Sequence, residues 1–250
     1  MKCFFNLLET KDVKLIELFT IKWLHLQGCF ETILVKNGKA QFLEHHIARA
    51  KKTNLEIFKL FYDYDLLILS LLKEISNYCS INMLYKLKII FSEENIFYSI
   101  ETYSPKYPAE LLLTSKDSSA DFKFIPTNHK LCDYKKYLNL LSTIDSKFWD
   151  CVRTNGREYL ETTKANIYFC NSKGIFTPSQ GDLLPGIIRQ IAIEEKLVLE
   201  SNIFVGSLVD FDGMLISNSL IGIAAVDTLD GHRFSRSQNY KTHLESLIFS

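Results

Sequence analysis

The stretch Glu161 to Arg189, ETTKANIYFCNSKGIFTPSQGDLLPGIIR, decides how the rest of the chain is read. It opens on a carboxylate and runs into a β-rich apolar segment with an Asn at its mouth. It turns near Lys173-Gly174 and returns through a second apolar segment. Leu184-Pro185-Gly186 then introduces the apolar periodicity of a helix. A helix start exposes unpaired backbone N–H groups and the positive end of the helix dipole. A phosphate would sit well on the N–H groups of Ile187 and Ile188, with Gly186 allowing close approach. Taken alone, a Pro-Gly helix start more often carries no ligand.

Further elements follow outward from this stretch. DCVRTNGREYLE reads as a hairpin turning at Asn155-Gly156, and GMLISNSLIGIAAVDTLDG as two strands around Asn218-Ser219. Asn239 to Phe249 closes the chain as a helix, and Cys132 to Phe148 also looks helical. In the first half, Phe30 to Val35 meets an Asn37-Gly38 turn and returns through Ala40 to Leu43. Helices are expected from Glu44 to Phe61 and from Tyr64 to Tyr78. LYKLKIIFS and NIFYSIETY pair as antiparallel strands across Glu93-Glu94-Asn95. TSKDSSADFKFIPTN is polar, and an interdomain linker is expected over 115–127, between domains 1–114 and 128–250. The elements lack a regular βαβ rhythm, which argues for two α+β-type domains rather than a Rossmann sheet.

Composition narrows the function classes. Of 250 residues, 47% are hydrophobic and 23% charged, as in a globular protein with a sizeable core. Lys and Arg number 29 and Asp and Glu 29, so bulk charge gives no case for nucleic acid or an anionic membrane. No apolar run of about 20 residues occurs, and the N-terminus reads as no signal peptide. The six cysteines form no C-x-x-C pair, and His45-His46 has no second ligand cluster, so a metal is not expected. A reduced, cytoplasmic compartment is the expectation.

The spacing within the opening stretch is specific. Glu161-x-Thr163-x-x-Asn166-Ile167-Tyr168 is followed after six residues by Ile175-x-Thr177, and after six more by Leu184-x-Gly186-Ile187-x-Arg189. This resembles the signature of the class IV aminotransferases, the fold-type IV enzymes that use pyridoxal 5'-phosphate. GCFETILVKNGKAQFLEHHIARAKKT is similar to the family's N-terminal hairpin and helix, in which His46-x-x-Arg49 would supply a phosphate-binding arginine. NHKLCDYKKYLNLL resembles the segment with the Schiff-base lysine, here Lys130. ISNSLIGIAAV resembles the late strand-turn-strand whose hydroxyl, here Ser219, touches phosphate.

The resemblance implies an α/β (α+β) fold of two domains with the cofactor in the cleft between them, working as a homodimer. It implies that Lys130 holds the cofactor and is the general base, and that Glu161 faces the protonated pyridine nitrogen. Lys135 and Lys136 are the rival lysines, placed on a helix face. Tyr134 could reach the cofactor's phenolic oxygen or belong to the core. The chain is short for a branched-chain aminotransferase, and Asn218-Ser219-Leu220-x-Gly222 looks like the version found in aminodeoxychorismate lyases. The implied reaction is cleavage of 4-amino-4-deoxychorismate to p-aminobenzoate and pyruvate, towards folate. The alternative is an aminotransferase for branched-chain or D-amino acids, and a third reading is an inactive binding module. No arginine lies between Arg49 and Arg153, so a substrate carboxylate would fall to Lys86, Lys88 or Lys106.

Overall fold

Alternating apolar residues build the first sheet. The computed structural model describes residues 2–5, 8–10, 26–93, 95–105, 108–123, 126–179, 181 and 183–249. Its strands are β1 (Lys2–Phe5), β2 (Leu8–Thr10), β3 (Gly28–Lys36), β4 (Lys39–Ala40), β5 (Tyr85–Ser92) and β6 (Asn95–Thr102). They lie in the order β2-β1-β6-β5-β3-β4, antiparallel at each pairing. Asn37 and Gly38 both take positive φ, 54° and 68°, as a two-residue hairpin turn needs. Helix α1 (Leu43–Thr53) and helix α2 (Tyr64–Tyr78) cover one face. Ile33, Val35, Leu87 and Ile89 of the sheet pack there with Ile47, Ala50, Leu67 and Leu71. Phe30, Ile90 and Phe97 form a smaller cluster with Cys3 and Cys132.

The second sheet holds β7 (Leu112–Asp117), β8 (Asp150–Thr154), β9 (Tyr159–Thr162), β10 (Asn166–Asn171), β11 (Gly174–Pro178) and β12 (Leu199–Ser201). It also holds β13 (Gly213–Asn218), β14 (Gly222–Ala225), β15 (Thr228–Leu229) and β16 (His232–Arg233). The main path runs β12-β11-β10-β9-β8-β7-β15-β16, with β13 joined to β10 and β14 to β13. The helices are α3 (Ser119–Phe122), α4 (Lys135–Ser142), α5 (Ile187–Glu194) and α6 (Ser237–Ile248). Period-two alternation sorts the central strands between two cores. Ile167, Phe169, Met214 and Ile216 pack with Val152 and Leu113, whereas Tyr168, Cys170 and Leu215 pack with Ile188 and Ala192 of α5 and Leu244 of α6.

Several expectations are corrected. The strand expected through Ala40 to Leu43 stops at Ala40, because Phe42 turns the chain at φ 53° and α1 begins at Leu43. The helix expected to Phe61 ends at Thr53 and passes into a π turn, Asn54–Phe58. Asn54 is buried there, accepting from Cys29 Sγ at 3.2 Å and donating to Tyr64 Oη at 3.0 Å. The helix expected from Cys132 spans only Lys135–Ser142. In the turn expected at Glu93-Glu94-Asn95, Glu94 lies outside the described residues.

The chain divides into two compact units, 1–105 with 129–134, and 106–128 with 135–250. This places two segments differently from the sequence expectation. Residues 115–127 do not form a free linker: β7 runs to Asp117 and pairs parallel with β8, and α3 follows. The Lys130 segment belongs with the first unit, because its backbone bonds to the start of β3.

Candidate active site

In the first unit, β3 and α1 bring together a carboxylate, an imidazole and a guanidinium. Glu31 lies on the side of β3 that carries Ile33 and Val35, facing α1. His46 and Arg49, three residues apart, share one face of that helix. Arg49 forks onto Glu31, with Nε to Oε1 at 2.8 Å and Nη2 to Oε2 at 2.7 Å. His46 Nδ1 meets Glu31 Oε2 at 2.7 Å. Burial alone would raise the Glu31 carboxyl, but Arg49 and His46 hold it well below the usual carboxylate range. Burial lowers His46 despite the raising effect of Glu31, and Arg49 and Lys130 lower it further.

Lys130 is placed through its backbone. Phe30 N–H donates to Lys130 O at 3.0 Å, and Cys132 N–H to Gly28 O at 2.9 Å. Gly28 leaves room for the neighbouring strand β5, since a Cβ there would lie 1.9 Å from Phe91 O. His129 is buried beside Lys130, its Nδ1 3.0 Å from Thr53 Oγ1 at the end of α1. Lys130 Nζ stands 4.8 Å from the Phe30 ring centroid, and Lys88 Nζ 5.6 Å from the same ring. Tyr134 packs edge-on against Phe30 at 6.0 Å. The rivals Lys135 and Lys136 are exposed on α4.

Burial pushes Lys88 down to about 7, with Lys86 and Lys130 adding to the shift. The folded protein then binds fewer protons than the unfolded chain between pH 7 and the ordinary lysine value. Stability therefore rises with pH across that window. Lys88→Met is expected to melt higher than the parent at pH 7, and that advantage should shrink by pH 10. Thermal melts across this range test it.

In the second unit, the opening stretch folds around one carboxylate. Glu161, at the end of β9, pairs in register with Asn166 at the start of β10. Glu161 Oε1 accepts from Arg153 Nη2 at 3.0 Å, and Oε2 accepts from Leu184 N–H at 3.0 Å and Asn166 Nδ2 at 3.4 Å. Asn166 also donates to Leu184 O at 2.9 Å, tying the carboxylate to the chain entering α5. Gly186 caps α5, and a Cβ on it would fall 2.0 Å from Asn166 Oδ1. The missing side chain therefore makes room for Asn166; close anion approach, the sequence reading, is not what this contact shows. Ile187 and Ile188 begin α5, both buried.

Asp150, which the sequence reading missed, pins the same turn. It accepts from Thr163 Oγ1 at 2.6 Å, and burial raises its carboxyl. Ser219 is half-buried in the β13–β14 turn. Asn218 Oδ1 shapes that turn by accepting from Leu220 and Ile221 N–H, each at 2.9 Å. Asn218 Nδ2 reaches Lys164 O at 3.1 Å, so this turn is fastened to the one beside Glu161. Arg189, the last residue of the spaced set, is wholly buried and bonds Pro178 O and Glu200. Among the described residues no group of three His, Cys, Asp or Glu could hold a metal ion.

The family model for amino-transferase class IV matches residues 28–229. The chain belongs to the class IV aminotransferase family. Its fold is that of the fold-type IV enzymes. Among solved structures, this class IV chain is similar to a putative branched-chain amino acid aminotransferase from Thermotoga maritima. The TM-score is 0.79 and identity 16%, over 100% of this chain and 96% of that one. It is also similar to a putative 4-amino-4-deoxychorismate lyase from Legionella pneumophila, with TM-score 0.76, identity 21%, and coverage of 90% and 91%. A hypothetical aminotransferase from Mycobacterium tuberculosis, in a PLP-bound form, gives TM-score 0.74 and identity 19%, over 92% and 91%. Among curated proteins no significant match was found. At these identities the likenesses establish the fold of the class IV chain. Its helices include none long and apolar enough to cross a membrane, among the described residues.

Proposed function

We propose that this class IV protein is a pyridoxal-phosphate-dependent 4-amino-4-deoxychorismate lyase that releases p-aminobenzoate and pyruvate. The cofactor reading is carried by Glu161, a buried carboxylate backed by Arg153 and aimed by Leu184 N–H and Asn166. Such a group suits a protonated ring nitrogen. Arg49, oriented by Glu31, and the start of α5 at Ile187 and Ile188 suit a phosphate, with Ser219 adding a hydroxyl. The residues present therefore fit pyridoxal 5'-phosphate. When bound, that group acts as an electron sink for a carbanion formed beside the substrate nitrogen.

Lys130 would hold the cofactor and, once released, take the proton from the amine-bearing carbon. The enolpyruvyl group leaves with the electron pair of its bond and gains a proton to become pyruvate, while the ring becomes aromatic. The lyase choice rests on the Asn218-Ser219-Leu220-x-Gly222 run, whose turn Asn218 shapes. A likeness of fold to lyases agrees with it but does not by itself give activity. In this reading the protein is a homodimer in folate synthesis. The aminotransferase reading is favoured by one observation, the lack of any arginine from residue 50 to 152.

The two readings separate on one requirement. The cofactor-loaded protein, given aminodeoxychorismate and no 2-oxo acid, is expected to form p-aminobenzoate and pyruvate in equal amounts. No product, together with turnover of amino donors when 2-oxoglutarate is added, would replace the lyase with a transaminase.

A further inference from the structure

Arg153 lies outside the spaced residues of the stretch from Glu161 to Arg189, yet it is among the most deeply buried side chains, 1% exposed. It lies on β8, whose five residues are all buried. A guanidinium in such a place loses its hydration and must be paired. Its Nη2 donates to Glu161 Oε1 at 3.0 Å. Its carbon centre stands 4.3 Å from the Phe122 ring and 5.5 Å from that of Tyr137. The two aromatic faces fix the cation beside the carboxylate. Replacing a buried ion pair by apolar residues often leaves stability unchanged or improved, so packing alone does not call for this arginine.

We propose that Arg153 is a positioning residue that keeps the Glu161 carboxylate charged and oriented for the cofactor's ring nitrogen. The inference rests on the reading of Glu161 given above. Consider one proton shared between a ring nitrogen and a buried carboxylate. Without a neighbouring cation, burial favours the neutral acid and leaves the nitrogen bare. With Arg153 on Oε1 the carboxylate stays ionised, and the proton rests on nitrogen. Arg153 acts through Glu161 throughout, so its effect should show in the cofactor's protonation rather than in the lysine chemistry.

The test uses cofactor labelled with nitrogen-15 in the ring, bound to the full chain, and reads its chemical shift. The parent should give a pyridinium shift. Arg153→Met and Arg153→Gln should both move it towards neutral pyridine, and Arg153→Lys, which keeps the charge, should restore most of the parent value. A parent-like shift in the neutral variants would overturn the proposal. A parent-like shift in Glu161→Gln would instead show that Glu161 does not face the ring, a failure of the underlying reading.

Melting of the cofactor-free proteins supplies an independent measure. Arg153→Met and Glu161→Gln should each lower the melting temperature, and the double variant should recover at least half of the summed loss. A double variant that folds where Arg153→Met does not counts as that recovery. Strictly additive losses would refute the pairing.

Discussion

Replacing Lys130 with alanine is expected to lower the turnover of the cofactor-loaded protein by at least about 10³-fold, the scale for losing a positioned general acid–base group. Lys130 is assigned two jobs, holding the cofactor and moving a proton, and alanine can do neither. Its side chain is only part-buried, resting over Phe30, so the fold should tolerate the change. The melting temperature without cofactor should stay within about 2 °C of the parent. Lys135→Ala and Lys136→Ala, on the exposed face of α4, should keep near-parent rates. Initial rates at saturating cofactor decide this. Near-parent turnover in Lys130→Ala would remove Lys130 from the chemistry.

Glu31→Ala should have the largest effect on stability. It leaves the Arg49 fork and His46 Nδ1 without the carboxylate they share. Breaking a buried ion pair in this way costs roughly 3–5 kcal/mol. The folded-state pKa of Glu31 is depressed. Its contribution is therefore complete above the ordinary carboxylate value and is lost as pH falls below it. The parent should lose stability progressively below about pH 4.5, and Glu31→Ala should show a shallower acid slope. Urea melts between pH 3 and 7 would check both. An unchanged acid slope would mean that Glu31 is not the linked group. Because Glu31 also aims Arg49, the same variant should bind cofactor more weakly.

The spaced residues of the opening stretch were legible because each sits where backbone geometry demands it. Gly186 must lack a side chain beside Asn166, and Asn166 must reach both Glu161 and Leu184. Hairpins with Asn-Gly turns were equally plain, as at Asn37-Gly38. Elements held by distant partners were not. β7 is polar along its outer half and exists through parallel pairing with β8 and β15, which no local pattern announces. The first helix stops at Thr53 because Asn54 is drawn towards Cys29 and Tyr64, a tertiary contact that overrides propensity.

Glu31 could have been found. Period two puts it on the face of Ile33 and Val35, and helical spacing puts His46 beside Arg49. A carboxylate on a buried strand face opposite two such groups is itself a signal. Arg153 gave less warning. Its neighbours on β8 are all buried, so no alternation marks its side, and its aromatic partner Phe122 comes from the stretch expected as linker.

The central assignment, that Lys130 carries the cofactor, has a direct chemical test. Cofactor-loaded protein is treated with borohydride, which fixes a pyridoxyl group on the lysine that holds it, and the digested peptides are mapped by mass spectrometry. The label is expected on Lys130, within the segment bonded to the start of β3. Label on Lys135 or Lys136, or no label on a protein that binds the cofactor, would contradict the account.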